Sequence, residues 1–173
     1  MRWPLLMLSL VLVAGCWSGD GLYSHSDAHR VIPPGIYRST TRDRAERVYR
    51  ISMLPNGMTQ FDGGEKKEIY GFAPLGRDTF VAWLDVRDMG ETPNGESGDN
   101  QIYALMVRRP DGGFTIYPPE CKDEEAEIAR RAGAMIESAM SPACHFPRRE
   151  SLEKALRLLP RDESSAMRLT RIP

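Results

Sequence analysis

The residues able to do chemistry are few in this chain and lie far apart. Cys144-His145 sets a thiol beside an imidazole, the neighbour a reactive cysteine needs, although adjacency in sequence does not bring two side chains together. Gly95-Glu96-Ser97-Gly98-Asp99 approaches the nucleophile elbow G-x-S-x-G, but its last position is Asp99 and no strand runs tightly into a helix there. The stretch from Asp85 to Asn100 carries Asp85, Asp88, Glu91, Glu96 and Asp99. Their spacing is not that of an EF-hand loop and reads as a solvated acidic connection. His25, Asp27 and His29 have the chemistry of transition-metal ligands but fall in a segment that does not hold ligands in place. Arg42, Arg44, Arg47 and Arg50 crowd the first hairpin with Arg38 and are partly offset by Asp43 and Glu46. They form a weak candidate for binding anionic lipid or glycan on an otherwise solvated face. These residues predict no catalytic set, no metal site and no cofactor.

The opening segment carries a firmer signal. Arg2 supplies a positive start, and Leu5 to Ala14 form an apolar run broken by Ser9 and ending in Gly15-Cys16. A membrane-spanning helix needs roughly 20 apolar residues, and Trp17-Ser18-Gly19-Asp20-Gly21 stops this run well short, so it reads as a signal-peptide core.

Val13-Ala14-Gly15-Cys16 resembles the lipobox of bacterial lipoproteins, with Val where Leu is most usual. The resemblance covers residues 1–16. It implies cleavage before Cys16, a diacylglycerol thioether on its sulfur, and an acylated amine. Several acyl chains anchor stably, at about 0.8 kcal/mol for each buried methylene. Trp17 stands where an Asp favours inner-membrane retention in lipoprotein families, which leans towards the outer membrane. The resemblance therefore implies a membrane-anchored, periplasm-facing protein of the cell envelope. Trp17 to Pro34, with its Gly, Ser, Asp, His and paired prolines, reads as a flexible tether of roughly 20 to 25 Å.

Assigning Cys16 to lipid leaves Cys121 and Cys144 as an even pair, which an oxidising compartment turns into one disulfide. The pairing constrains the intervening chain. A straight helix from Lys122 to Met140 would be roughly 28 Å long, whereas bridged Cα atoms lie about 4.4 to 6.8 Å apart. The chain must double back, and Gly133 is the residue suited to end a helix in a left-handed conformation.

The elements that would position these groups follow from periodicity. Tyr49, Ile51 and Met53 alternate with polar residues, turn at Pro55-Asn56-Gly57, and resume with Met58 and Phe61. A second hairpin turns at Leu75 to Asp78 and a third at Pro110 to Gly113. Phe80 to Leu84 and Ile102 to Val107 are apolar on both faces, as in strands covered on each side. From Cys121 the period becomes helical, with Asp123 as N-cap, and a second helix carries Leu152, Ala155, Leu156 and Leu159 behind a Ser151 cap. Residues 167–172 can add a final strand.

The expected class is α+β: an antiparallel meander of about six or seven strands followed by two helices packed on it. The expected organisation is a signal peptide at 1–15, lipidated Cys16 with its tether at 16–34, and one domain at 35–173. With 173 residues, 41% hydrophobic and a net charge of −1, the chain has the profile of one globular domain and not of a nucleic-acid binder. The expected role is a non-catalytic envelope lipoprotein that meets a protein, glycan or small ligand near the membrane. The alternative is a small envelope hydrolase whose site is assembled from distant residues.

Overall fold

The computed structural model describes residues 16–42, 45–86, 100–137 and 142–173. The three expected hairpins form: β3 (Arg47–Met53) with β4 (Thr59–Asp62), β5 (Lys67–Pro74) with β6 (Thr79–Asp85), and β7 (Asn100–Arg108) with β8 (Phe114–Tyr117). β2 (Gly35–Thr40) precedes them and pairs with β3.

The sheet does not stay open, which corrects the expected α+β meander. β6 pairs with β7 over seven residues, from Thr79↔Val107 to Asp85↔Gln101. The last strand, β11 (Met167–Arg171), pairs with β8 on one side and β2 on the other. Eight antiparallel strands thereby close in the order β2-β3-β4-β5-β6-β7-β8-β11, and closure removes the exposed edges an open sheet would leave. Three short strands extend the sheet from β7: β1 (Trp17–Asp20), β10 (Ala143–His145) and β9 (Met135–Glu137).

Closure explains the two-faced apolar strands. Alternate residues point into the barrel, where Tyr37, Ile51, Phe61, Phe72, Phe80, Met106, Phe114 and Leu169 pack together. The opposite residues of β5 to β8, among them Ala73, Val81, Trp83, Tyr103, Leu105 and Tyr117, are covered from outside. Their cover is α1 (Asp123–Ala132), α2 (Arg149–Leu158) and the N-terminal segment. The helices carry apolar stripes that end in this outer core, with Ala129 and Ala132 from α1 and Leu152, Ala155 and Leu156 from α2. Ser151 lies buried within α2, and Arg148 takes the cap position expected for it. Lys122 likewise takes the cap position expected for Asp123.

The expected tether is not one. Residues 17–34 carry β1, a short 3-10 turn and four buried apolar side chains, Trp17, Tyr23, Val31 and Ile32. Val31 and Ile32 belong to the barrel's inner core at the end where Tyr37 donates its hydroxyl to Pro33 O at 2.9 Å. Composition alone reads such a segment as loop, because its few apolar residues follow no sustained period and find their cover only in the folded barrel.

The chain doubles back where expected. α1 stops at Ala132, Gly133 takes φ 101° and ψ 22°, and Ala134 N–H donates to Ala129 O at 2.9 Å. That reversal brings Cys144 to Cys121, and the disulfide joins them with Cα atoms 5.3 Å apart. Residues 16–173 hold the closed barrel, both cores and the disulfide, the components of an independently folding domain.

Candidate functional site

Eight strands enclose an interior just wide enough to be filled by side chains or to hold one small ligand. This barrel is filled at one end and hollow at the other. Where Phe72 meets β6 its partner is Ala82, and Ala82 in turn faces Ala104 on β7. Two methyl groups stand where neighbouring registers carry Phe80 with Met106 and Leu84 with Ile102. The space left is a cavity of about 610 Å³, lined on its apolar side by Tyr70, Ala82, Leu84, Ile102, Ala104, Ile116 and Met167. That volume falls within the roughly 300–1,000 Å³ of small-molecule sites.

The mouth of the cavity is polar. Thr41, Pro118, Pro119, Glu120, Ser164 and Ser165 line it. Ser164 and Ser165 turn their hydroxyls onto Asp162, at 2.6 Å and 3.3 Å. The Tyr70 hydroxyl donates to Glu68 Oε2 at 2.9 Å, and burial, reinforced by that carboxylate, pushes its pKa far up and keeps it a neutral donor. The Thr41 Oγ1 is buried and has no hydrogen-bond partner among the described residues. Glu120 pairs with Lys122 and is the one charged side chain among the described lining residues.

Cys16 is part of the same wall. β8 leaves β7 after Tyr117, opposite Leu105, and β1 takes over that edge of β7 from Ile102 to Asn100. Cys16 sits at this parting of strands, bridged through its backbone to Glu120, while its carbonyl accepts from Cys144 N–H at 3.4 Å. All three cysteines thus converge, because Glu120 adjoins Cys121 and Cys121 is bonded to Cys144. Burial and then the nearby Glu120 raise the Cys16 thiol pKa, which disfavours thiolate chemistry.

The other candidates are not assembled into one place. Arg42 follows the cavity-lining Thr41 in sequence; Asp162 is held below the usual carboxylate range first by its hydrogen bonds from Ser164, with Arg42 adding to them. Arg47 borders a groove with Lys66, Glu65 and Glu68. Arg50, three positions along the same strand, takes the opposite face of β3, and strand alternation is what separates the two. Arg44 lies outside the described residues, as do Asp88, Glu91 and the Gly95 to Asp99 stretch.

Asp27 is engaged structurally. Its carboxylate accepts from Ser24 N–H at 2.8 Å and from Arg149 at 2.8 Å. Arg149 lies over the Tyr23 ring, 4.2 Å from its centre, and Tyr23 stacks on Trp83 at 4.9 Å. This latch and the Gln101 side chain, bonded to both the N–H and the carbonyl of Tyr23, hold the N-terminal segment on the barrel. Cys144 is spent in the disulfide, and His145 lies 3.5 Å from Asp20. Among the described residues no group of three metal-ligating side chains converges, and no helix is long and apolar enough to cross a membrane.

Reading the sequence alone misses the cavity. Its signal is a small residue at the same depth of two apolar runs, Ala82 in "FVAWL" and Ala104 in "IYALM". The fold and site together define an eight-stranded up-and-down barrel with a ligand-sized interior. Compared with protein-family models, curated proteins and solved structures, the chain has no match.

Proposed function

We propose that this chain is a non-catalytic cell-envelope lipoprotein, anchored through lipid on Cys16, that binds a small apolar ligand inside its barrel. The observation that carries the reading is the cavity of about 610 Å³ whose wall is apolar in its depth and includes the lipidation candidate Cys16. A ligand entering it gains roughly 25 cal/mol for each Å² of apolar surface removed from water. The order of charge, apolar core, small residues and cysteine at the N-terminus supports the anchor. With β1 starting at Trp17, an anchor at Cys16 holds the barrel close to the bilayer surface, facing the periplasm, with no spacer between. The outer membrane is the favoured site, from Trp17 in the position after the lipidated cysteine.

The reading has two tests. Radiolabelled palmitate enters the protein in growing bacteria and fails to enter the Cys16→Ser variant; label that persists in that variant overturns the anchor. N-phenyl-1-naphthylamine, a neutral apolar fluorophore, brightens on titration with residues 16–173; absence of saturable binding overturns the cavity as the ligand site.

A further inference from the structure

We infer that one acyl chain of the protein's own Cys16 lipid lies inside the barrel, as the resident occupant of its cavity. This rests on the readings of Cys16 as the lipid attachment point and of the cavity as the binding site, and joins the two. Strand alternation sets the direction. Trp17 faces the outer core, its ring centre 5.1 Å from that of Phe146, so Cys16 before it takes the opposite face. Ser18, on the same face as Cys16, pairs with Ile102 of β7. Cys16 and Ala104 are the next residues on this face of their two segments, and both line the cavity, as Ile102 does. A thioether on Cys16 therefore starts on the side of the sheet that holds the alanine layer. Burial raises the Cys16 thiol pKa, in keeping with a sulfur turned away from water.

Size and tethering choose the occupant. A volume of about 610 Å³ suits one small molecule or chain. The anchor proposed at Cys16 carries a diacylglyceryl thioether and an acylated amine, and the two chains left in the bilayer still anchor stably. Cavity and bilayer both shelter methylenes from water, so what favours this chain over a free ligand is its tether. Held at the wall, it is present at an effective concentration on the order of millimolar. A free apolar ligand then enters by displacing this chain to the bilayer.

The test uses the full chain, expressed in growing bacteria fed a palmitate analogue with a diazirine near its chain end, and irradiated in the membrane. Crosslinks within the protein, mapped by mass spectrometry of its peptides, are expected on the inner faces of β6 and β7 around Ala82 and Ala104. Ala104→Leu, with Ala82→Leu as a second filling variant, should lose these crosslinks while still carrying the label. Crosslinks confined to bilayer lipid and to residues outside the barrel overturn the inference, as do barrel crosslinks undiminished in both folded filling variants. Should the variants fail to fold, the map of the parent decides alone. Two controls separate this from failure of the readings beneath it. A parent chain that takes up no label removes the anchor, and residues 16–173 carrying Cys16→Ser that do not bind N-phenyl-1-naphthylamine remove the cavity. The inference falls with either.

Discussion

Ala82 and Ala104 face each other across β6 and β7 inside the barrel, flanked by Phe80 with Met106 on one side and Leu84 with Ile102 on the other. Their small side chains, and not a gap in the backbone ladder, create the cavity. Ala104→Leu should therefore be tolerated, changing stability by less than about 1.5 kcal/mol because it grows into existing space. Met106→Ala, one layer deeper in the filled half, should cost about 2–5 kcal/mol. Guanidinium unfolding of the two variants checks the contrast, and equal losses would mean that the Ala layer is already packed.

A second contact fixes the outer face of the same strands. Trp83 lies across its cross-strand partner Gly71, and a Cβ built on Gly71 would come within 2.0 Å of the indole. Trp83 carries Tyr23, and Tyr23 carries Arg149, so the stack ties β6 to the N-terminal segment and α2. Gly71→Ala should cost about 1–3 kcal/mol by overpacking and disturb the near-ultraviolet circular dichroism of the stacked rings. An unchanged near-ultraviolet spectrum and melting temperature would contradict the packing.

The disulfide closes a sequence separation of 23 that contains α1 and β9. Replacing both cysteines by serine should remove about 3 kcal/mol in the chain-entropy account. Because Cys144 N–H also bonds to Cys16 O, faster hydrogen exchange should appear in β10 and β1 before it appears in the barrel strands β3 and β4.

Acid should loosen the latch. The Ser24 backbone N–H, with Arg149 adding to it, holds the Asp27 carboxyl below its ordinary value. A group whose pKa is depressed by folding contributes stability in full above the unfolded value of about 3.9 and loses it as pH falls through the folded value. Asp27→Asn should flatten that part of the acid limb of a stability-against-pH curve. Arg149→Ala should cost about 1 kcal/mol at neutral pH through the lost ring and carboxylate contacts. An acid limb identical in parent and Asp27→Asn would remove Asp27 from the account.

Local chemistry was legible along the chain. The turns at Pro55-Asn56-Gly57, Leu75 to Asp78 and Pro110 to Gly113 each join two strands, because turn residues and period-two alternation act over a few neighbours. The Cys121–Cys144 bridge was legible by a different route, the even pair left once Cys16 is assigned to lipid, and the short span of a disulfide then called for the helix stop found at Gly133.

Closure was decided only in three dimensions. Whether Phe80 to Leu84 lies beneath helices or faces the far wall of a barrel is not written in its own pattern, since both give a strand apolar on two sides. It depends on β6 finding β7 across the 87–99 connection and on β11 entering between β8 and β2, partners 51 and 128 residues away at their closest pairings, Met167↔Ile116 and Arg168↔Thr40. The cavity depends on closure in turn, because an alanine reads as one more apolar residue until the wall opposite it is known. Trp17, Tyr23, Val31 and Ile32 belong to the same category: few and unperiodic, they look like loop residues until the barrel supplies the surface that buries them.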